Sequence, residues 1–193
     1  MLSLIGTIAP NFSLLGANGK VVRSEDLLAL GPVILKFFRG RWCPYDITEL
    51  ETWEALLPEL RHPPEGRPAL FVAISPQTPR QNAFTAQPHG KPLGFTFPML
   101  SDPEAQLAAR FGLDYVVPEG SRAWYRSMLV NIPMLYGNES WRLPLPATIV
   151  LNAEGRIVFL EAYADHRLRP DPQTVLQALY AISPSREPQP ELG

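Results

Sequence analysis

Six residues, Val33-Ile34-Leu35-Lys36-Phe37-Phe38, make a near-continuous apolar run of strand length. A run of that kind reads as a central parallel strand, inside a sheet covered by helices. It passes through Arg39-Gly40-Arg41-Trp42-Cys43-Pro44-Tyr45-Asp46 into a stretch where Ile47, Leu50, Trp53, Leu57 and Leu60 recur at helical spacing. The chain is therefore committed to strand, tight turn and helix, with its only cysteine in the turn. A thiol there lies beside unpaired backbone N–H groups and the positive end of a helix dipole. Both favour thiolate over thiol and predict a reactive sulfur.

The remaining elements are punctuated by 22 prolines. Asn18-Gly19 between short apolar segments predicts an N-terminal β-hairpin. Ser24 is the expected N-cap of a short helix through Leu30. Residues 69–74 read as a second buried strand and 97–100 as a short one. Thr78-Pro79, Asp102-Pro103 and Asp171-Pro172 each place a capping side chain before a proline at the first helical position. They open helices to about Ala86, through Phe111 with Gly112 as stop, and over a last helix carrying Val175, Leu176, Leu179 and Ile182. Within 114–145 one helix over 121–129 is expected, with loop elsewhere. Residues 147–151 and 156–162 alternate around Asn152-Ala153-Glu154-Gly155 as a late hairpin. This order predicts an α/β protein with a mixed central β-sheet flanked by helices, and the thioredoxin-like fold fits it. The expected domain is 1–183, followed by a disordered tail over 184–193.

Net charge is −2, with no basic block, so neither nucleic acid nor an anionic membrane is an expected partner. No apolar run is long enough to span a bilayer, and the N-terminus has no signal-peptide pattern. A single cysteine cannot close an internal disulfide, so the cytoplasm is the expected compartment. His62, His89 and His166 are scattered over predicted loops, which gives no support for a metal site and suggests no cofactor.

The segment Phe37-Phe38-Arg39-Gly40-Arg41-Trp42-Cys43-Pro44-Tyr45 resembles the active-site segment of the AhpC/TSA-type peroxiredoxin-like family. So do Phe97-Pro98-Met99-Leu100-Ser101-Asp102-Pro103, as the family's strand and Ser-Asp-Pro turn, and Trp141-Arg142-Leu143-Pro144-Leu145-Pro146-Ala147-Thr148 before the late hairpin. The resemblance implies a thioredoxin fold and a nucleophilic Cys43. Three positions depart from it. Many relatives carry a second cysteine where this chain has Asp46, which equally matches the acid that typical peroxiredoxins place three residues after their cysteine. Their Thr or Ser, three residues before the cysteine, is Gly40 here. Their arginine before the late hairpin strand is matched by Pro146, a thioredoxin-like feature and a candidate cis-proline facing the sulfur.

Among the candidate site residues, Cys43 reads as nucleophile rather than as a small buried hydrophobe. Arg39, preferred over Arg41, could stabilise the thiolate and polarise a peroxide in place of the missing arginine. Arg126 and Arg142 are better explained by surface pairing. Asp46 is best read as an acid interacting with the helix dipole, its alternative being to orient Arg39 or a water. A carboxylate aimed at the sulfur would raise the thiol pKa. Trp42 and Tyr45 are pocket walls or simple packing.

Three functions are open to such a chain. The first is a single-cysteine thiol peroxidase with antioxidant activity, which reduces hydroperoxides through a Cys43 sulfenic acid resolved by an external thiol such as thioredoxin or glutathione. The second is a monothiol thiol–disulfide oxidoreductase, and the third a non-catalytic thioredoxin-fold binding or regulatory module. Dimers are common in the family. Trp124, Tyr125, Met128 and Leu129 could supply a homodimer interface, and core packing explains them equally well.

Overall fold

The computed structural model describes residues 4–63, 68–87 and 94–182. His89, part of the expected stop at 62–66 and the expected tail at 184–193 lie outside the described residues. The apolar run forms β3 (Val33–Phe37), all five residues buried. It pairs in parallel with β4 (Leu70–Ser75), which pairs in parallel with β5 (Met99–Ser101). On the other side β3 pairs antiparallel with β8 (Ala147–Leu151), and β8 with β9 (Ile157–Ala162). The N-terminal hairpin, β1 (Ser13–Gly16) and β2 (Val21–Arg23), joins the sheet through antiparallel β1 and β5. The seven-stranded mixed order is β2-β1-β5-β4-β3-β8-β9.

Side chains alternate across β3 and divide the core in two. Val33, Leu35 and Phe37 pack with Leu107 and Phe111 on one face. Ile34 and Phe38 pack on the other with α2 (Pro44–Arg61) and α7 (Pro172–Tyr180), through Leu50, Trp53 and Leu60 and through Val175 and Leu176. Each such side chain contributes about 1.5–3 kcal/mol by leaving water. Lys36 has the parity of Ile34 and Phe38, so it faces α2. Among the described residues no helix is long and apolar enough to cross a membrane.

Local signals set most element starts. The Thr78 hydroxyl accepts from Gln81 N at the start of α3 (Pro79–Ala86), and the Asp171 carboxylate accepts from Gln173 N at the start of α7. Three expectations need correction. Ser24 does not cap α1 (Ser24–Leu28); its hydroxyl accepts from Phe12 N, tying the helix to the residue that leads into β1. The helix expected after Asp102 is broken, because Glu104 and Ala105 both have positive φ. A 3-10 turn (Pro103–Ala105) precedes α4 (Gln106–Arg110), and the Asp102 carboxylate reaches past it to Leu107 N and Ala108 N. Finally, 114–145 is more regular than its sequence suggested. It holds β6 (Asp114–Val116) paired with β7 (Arg142–Pro144), with α5 (Glu119–Ser127) and α6 (Ile132–Tyr136) between them. Val117, Tyr125, Ile132, Tyr136, Trp141 and Leu143 give this insertion its own apolar core.

Candidate active site

Cys43 occupies the N-cap position of α2, and Pro44 follows at N1, where its missing N–H costs no helical bond. The turn ahead of it is held from three sides. Asp46 Oδ2 accepts from Arg39 N at 2.8 Å, the Tyr136 hydroxyl donates to Arg39 O at 2.5 Å, and Gln77 Oε1 accepts from Arg41 N at 2.9 Å. Gln77 is itself fixed, its Nε2 donating to Asn82 Oδ1 and Thr85 Oγ1. Gly40 has φ +141°, and a Cβ there would stand 2.7 Å from Gln77 Oε1. The position that carries Thr or Ser in typical peroxiredoxins therefore has no room for one. Gly40→Thr is expected to destabilise the protein by about 1–3 kcal/mol, measured by thermal or urea unfolding. A Gly40→Thr variant as stable as wild type would refute that reading of the turn.

Arg39 is buried and its Nη2 lies 2.9 Å from Cys43 Sγ. Its guanidinium sits over Trp42, 4.8 Å from the ring centroid, and also faces Tyr115. Arg39 Nε has no hydrogen-bond partner among the described residues. Arg41 instead leans toward Phe84, Arg126 lies over Trp141, and Arg142 pairs with Asp114 at 2.5 Å. The thiol does not gain the thiolate character its turn predicted. Burial pushes the Cys43 pKa up, the Asp46 charge adds to this, and Arg39 offsets them only in part.

Asp46 is fully buried, so the expected partnership with the helix dipole gives way to a tertiary one. Its Oδ1 pairs with Arg169 Nη2, and Arg169 Nε pairs with Glu49 Oε2. Glu49 Oε2 is 2.8 Å from Lys36 Nζ, which lies 3.4 Å from Thr148 Oγ1. Buried charges thus run from the thiol and Arg39, across the backbone N–H of Arg39 to Asp46, and on through Arg169 and Glu49 to Lys36 in the middle of β3.

Above the sulfur is a cavity of about 320 Å³. Trp42, Tyr45, Trp124, Tyr125, Met128 and His166 form much of its wall, so α5 of the insertion closes the site that α2 opens. Trp42 packs edge-on against Tyr125, and Tyr45 against His166. Burial and the Arg39 charge hold His166 below the usual histidine range. Pro146 is buried just before β8 but is not part of this wall, and no described peptide bond is cis, which corrects the cis-proline expectation. Among the described residues no cluster of three or more His, Cys, Asp or Glu side chains could hold a metal ion.

Sequence reasoning missed Tyr115, Tyr136, Gln77, Glu49 and Arg169, and set His166 aside. The contacts of Gln77, Tyr136 and Arg169 with the turn and with Asp46 span 36, 97 and 123 residues, beyond any local pattern. Lys36 did carry a signal, as the one charge in an otherwise apolar strand.

A family model described as the AhpC/TSA family matches residues 5–160. No curated protein matches the chain. Among solved structures, peroxidoxin BcpB from Mycobacterium tuberculosis is similar, with TM-score 0.68 and 22% identity over 93% of this chain and 97% of that one. A yeast mitochondrial 1-Cys peroxiredoxin has TM-score 0.68 and 17% identity over 93% and 75% of the two chains. A Cys-to-Ser mutant of peroxiredoxin 6 from Arenicola marina has TM-score 0.70 and 15% identity over 91% and 71%. These likenesses establish the thioredoxin-type fold of the chain.

Proposed function

The chain belongs to the AhpC/TSA family, and from that premise we propose that it is a single-cysteine thiol peroxidase acting on hydroperoxides with an apolar body. The observation that carries the proposal is Arg39, with Nη2 on the sulfur and an unpartnered Nε beside it. In the proposed step the Cys43 thiolate attacks the outer oxygen of R–O–O–H. The S–O bond forms as the O–O bond breaks, the alkoxide takes up a proton, and Cys43 becomes a sulfenic acid. Arg39 stabilises the negative charge shared by sulfur and oxygens in the transition state. With no second cysteine in the chain, an external thiol condenses with the sulfenic acid, releasing water. A second equivalent then frees Cys43 and leaves the disulfide of the reductant. Thioredoxin or glutathione would serve, in the cytoplasm or any compartment that holds them.

The aromatic cavity supports an apolar substrate, and the raised thiol pKa implies a rate that climbs with pH through the range above the free value of about 8.5. The monothiol-exchange reading loses the support it drew from Pro146. A module without turnover is favoured by that same raised pKa. The test is to treat the protein with one equivalent of cumene hydroperoxide or hydrogen peroxide and trap sulfenate by intact mass against Cys43→Ser. Stoichiometric sulfenate, formed faster with the cumene compound, is expected. Mixed disulfide with oxidised glutathione but no sulfenate would replace the proposal with exchange, and a thiol inert to both would replace it with the non-catalytic module.

A further inference from the structure

We propose that Lys36 is a positioning residue for the thiol, exchanging charge with Cys43 so that the two groups titrate as a pair through the buried ion chain. The chain holds three basic side chains, Lys36, Arg39 and Arg169, and two acidic ones, Asp46 and Glu49; Asp46 accepts from the Arg39 backbone N–H and acts on its guanidinium through charge, and the other links are direct contacts. Neutral thiol with neutral amine leaves two cations against two anions. Thiolate with ammonium leaves three against three. Either mixed state strands one net charge among groups that are nearly or fully withdrawn from water, which is costly. Interacting sites of this kind have macroscopic pKa values that belong to the pair.

The groups facing the pair do not upset this count near neutral pH. On the thiol side are Arg39, Asp46, Tyr115 and His166, with Tyr136 beneath the turn. Both tyrosines are held above their usual range and His166 below its own. On the amine side are Glu49 and Asp46 from α2, Arg169 from the segment before α7, and the Thr148 hydroxyl from β8. Lys36 itself is pulled below the usual lysine range by burial, which makes the neutral amine accessible. In the exchange the S–H bond breaks and its electron pair stays on sulfur, while the Lys36 nitrogen gains one N–H bond. The sum of protons and charge is unchanged.

This inference concerns the thiol of the proposed peroxidase, but its test reads ionisation rather than turnover, so the two fail separately. The apparent Cys43 pKa is followed by thiolate absorbance, and the iodoacetamide rate is measured near neutral pH. Lys36→Met, with no cation to offer, is expected to raise the pKa and to slow alkylation about tenfold for each pH unit that the thiolate midpoint climbs. Lys36→Arg, a fixed cation, is expected to lower the pKa and speed alkylation by a comparable factor. If Lys36→Arg matches wild type while Lys36→Met is slow, Lys36 is an ordinary permanent charge and pairing is refuted. Unchanged rates in both variants refute any coupling. Should either variant fail to fold, the Lys36 Nζ signal is titrated by NMR in wild type and Cys43→Ser. More ammonium in wild type above the thiol midpoint supports the pair, and superimposable curves overturn it.

Discussion

Arg39→Met is expected to slow oxidation of Cys43 by hydroperoxide by about two to three orders of magnitude, the usual cost of removing a preorganised donor to a developing oxyanion. Two separable effects contribute. Without the guanidinium on Sγ, burial and Asp46 act on the thiol unopposed, so its pKa rises further and less thiolate is present near neutral pH. The peroxide also loses the Nε–H donor. Sulfenate formation followed over a pH series distinguishes the two, because the first effect vanishes once the thiol is fully ionised. A variant that recovers the wild-type rate at high pH would show that Arg39 tunes the sulfur without touching the peroxide. Arg39→Lys should recover less than a charge count suggests, since an ammonium cannot hold sulfur and oxygen at once with a planar fork.

Asp46→Ala is expected to cost about 3–5 kcal/mol, the penalty for breaking a buried ion pair from one side. The carboxylate holds both Arg39 N and Arg169, so its loss leaves a buried backbone donor without its acceptor and leaves Arg169 with Glu49 as its remaining carboxylate. Thermal unfolding should fall by roughly 10 °C for a domain of this size. Reactivity should move in the opposite direction. Asp46 raises the thiol pKa, so the folded variant alkylates faster near neutral pH than wild type. A loss below about 1 kcal/mol would restore the helix-dipole role that the sequence suggested. Loss of stability without a gain in alkylation would detach Asp46 from the thiol.

Arg39 shows where sequence reading succeeds, and Asp46 where it stops. Cys43, Pro44 and Arg39 are neighbours along the chain, so strand period, cap and turn chemistry were enough to place them together. Thr78 and Asp171 were legible as caps for the same reason, since each reaches a backbone N–H within three residues. Ser24 carried the same signal and failed, because Phe12 N competed for its hydroxyl. Asp46 looked like an acid in a first helical turn, and nothing local showed that Arg169 would meet it from 123 residues away. Strands β6 and β7 escaped notice because each is three residues long and pairs only with the other across two helices. Pro146 was judged by analogy. Its bond is trans and it lies off the cavity wall, and no single residue encodes either fact.

The three hydrogen bonds that pin Arg39 and Arg41 bear on who can complete the reaction. Unwinding the first turn of α2 would pull Asp46 away from Arg39 N and from Arg169, at about 1–3 kcal/mol for each buried group left without its partner. In the proposed cycle an oxidised Cys43 would therefore be a fixture, held at the floor of its recess instead of swinging outward, and the external thiol would have to extend its own sulfur down to meet it. Slenderness of that thiol, more than its reducing power, would then decide which reductant serves.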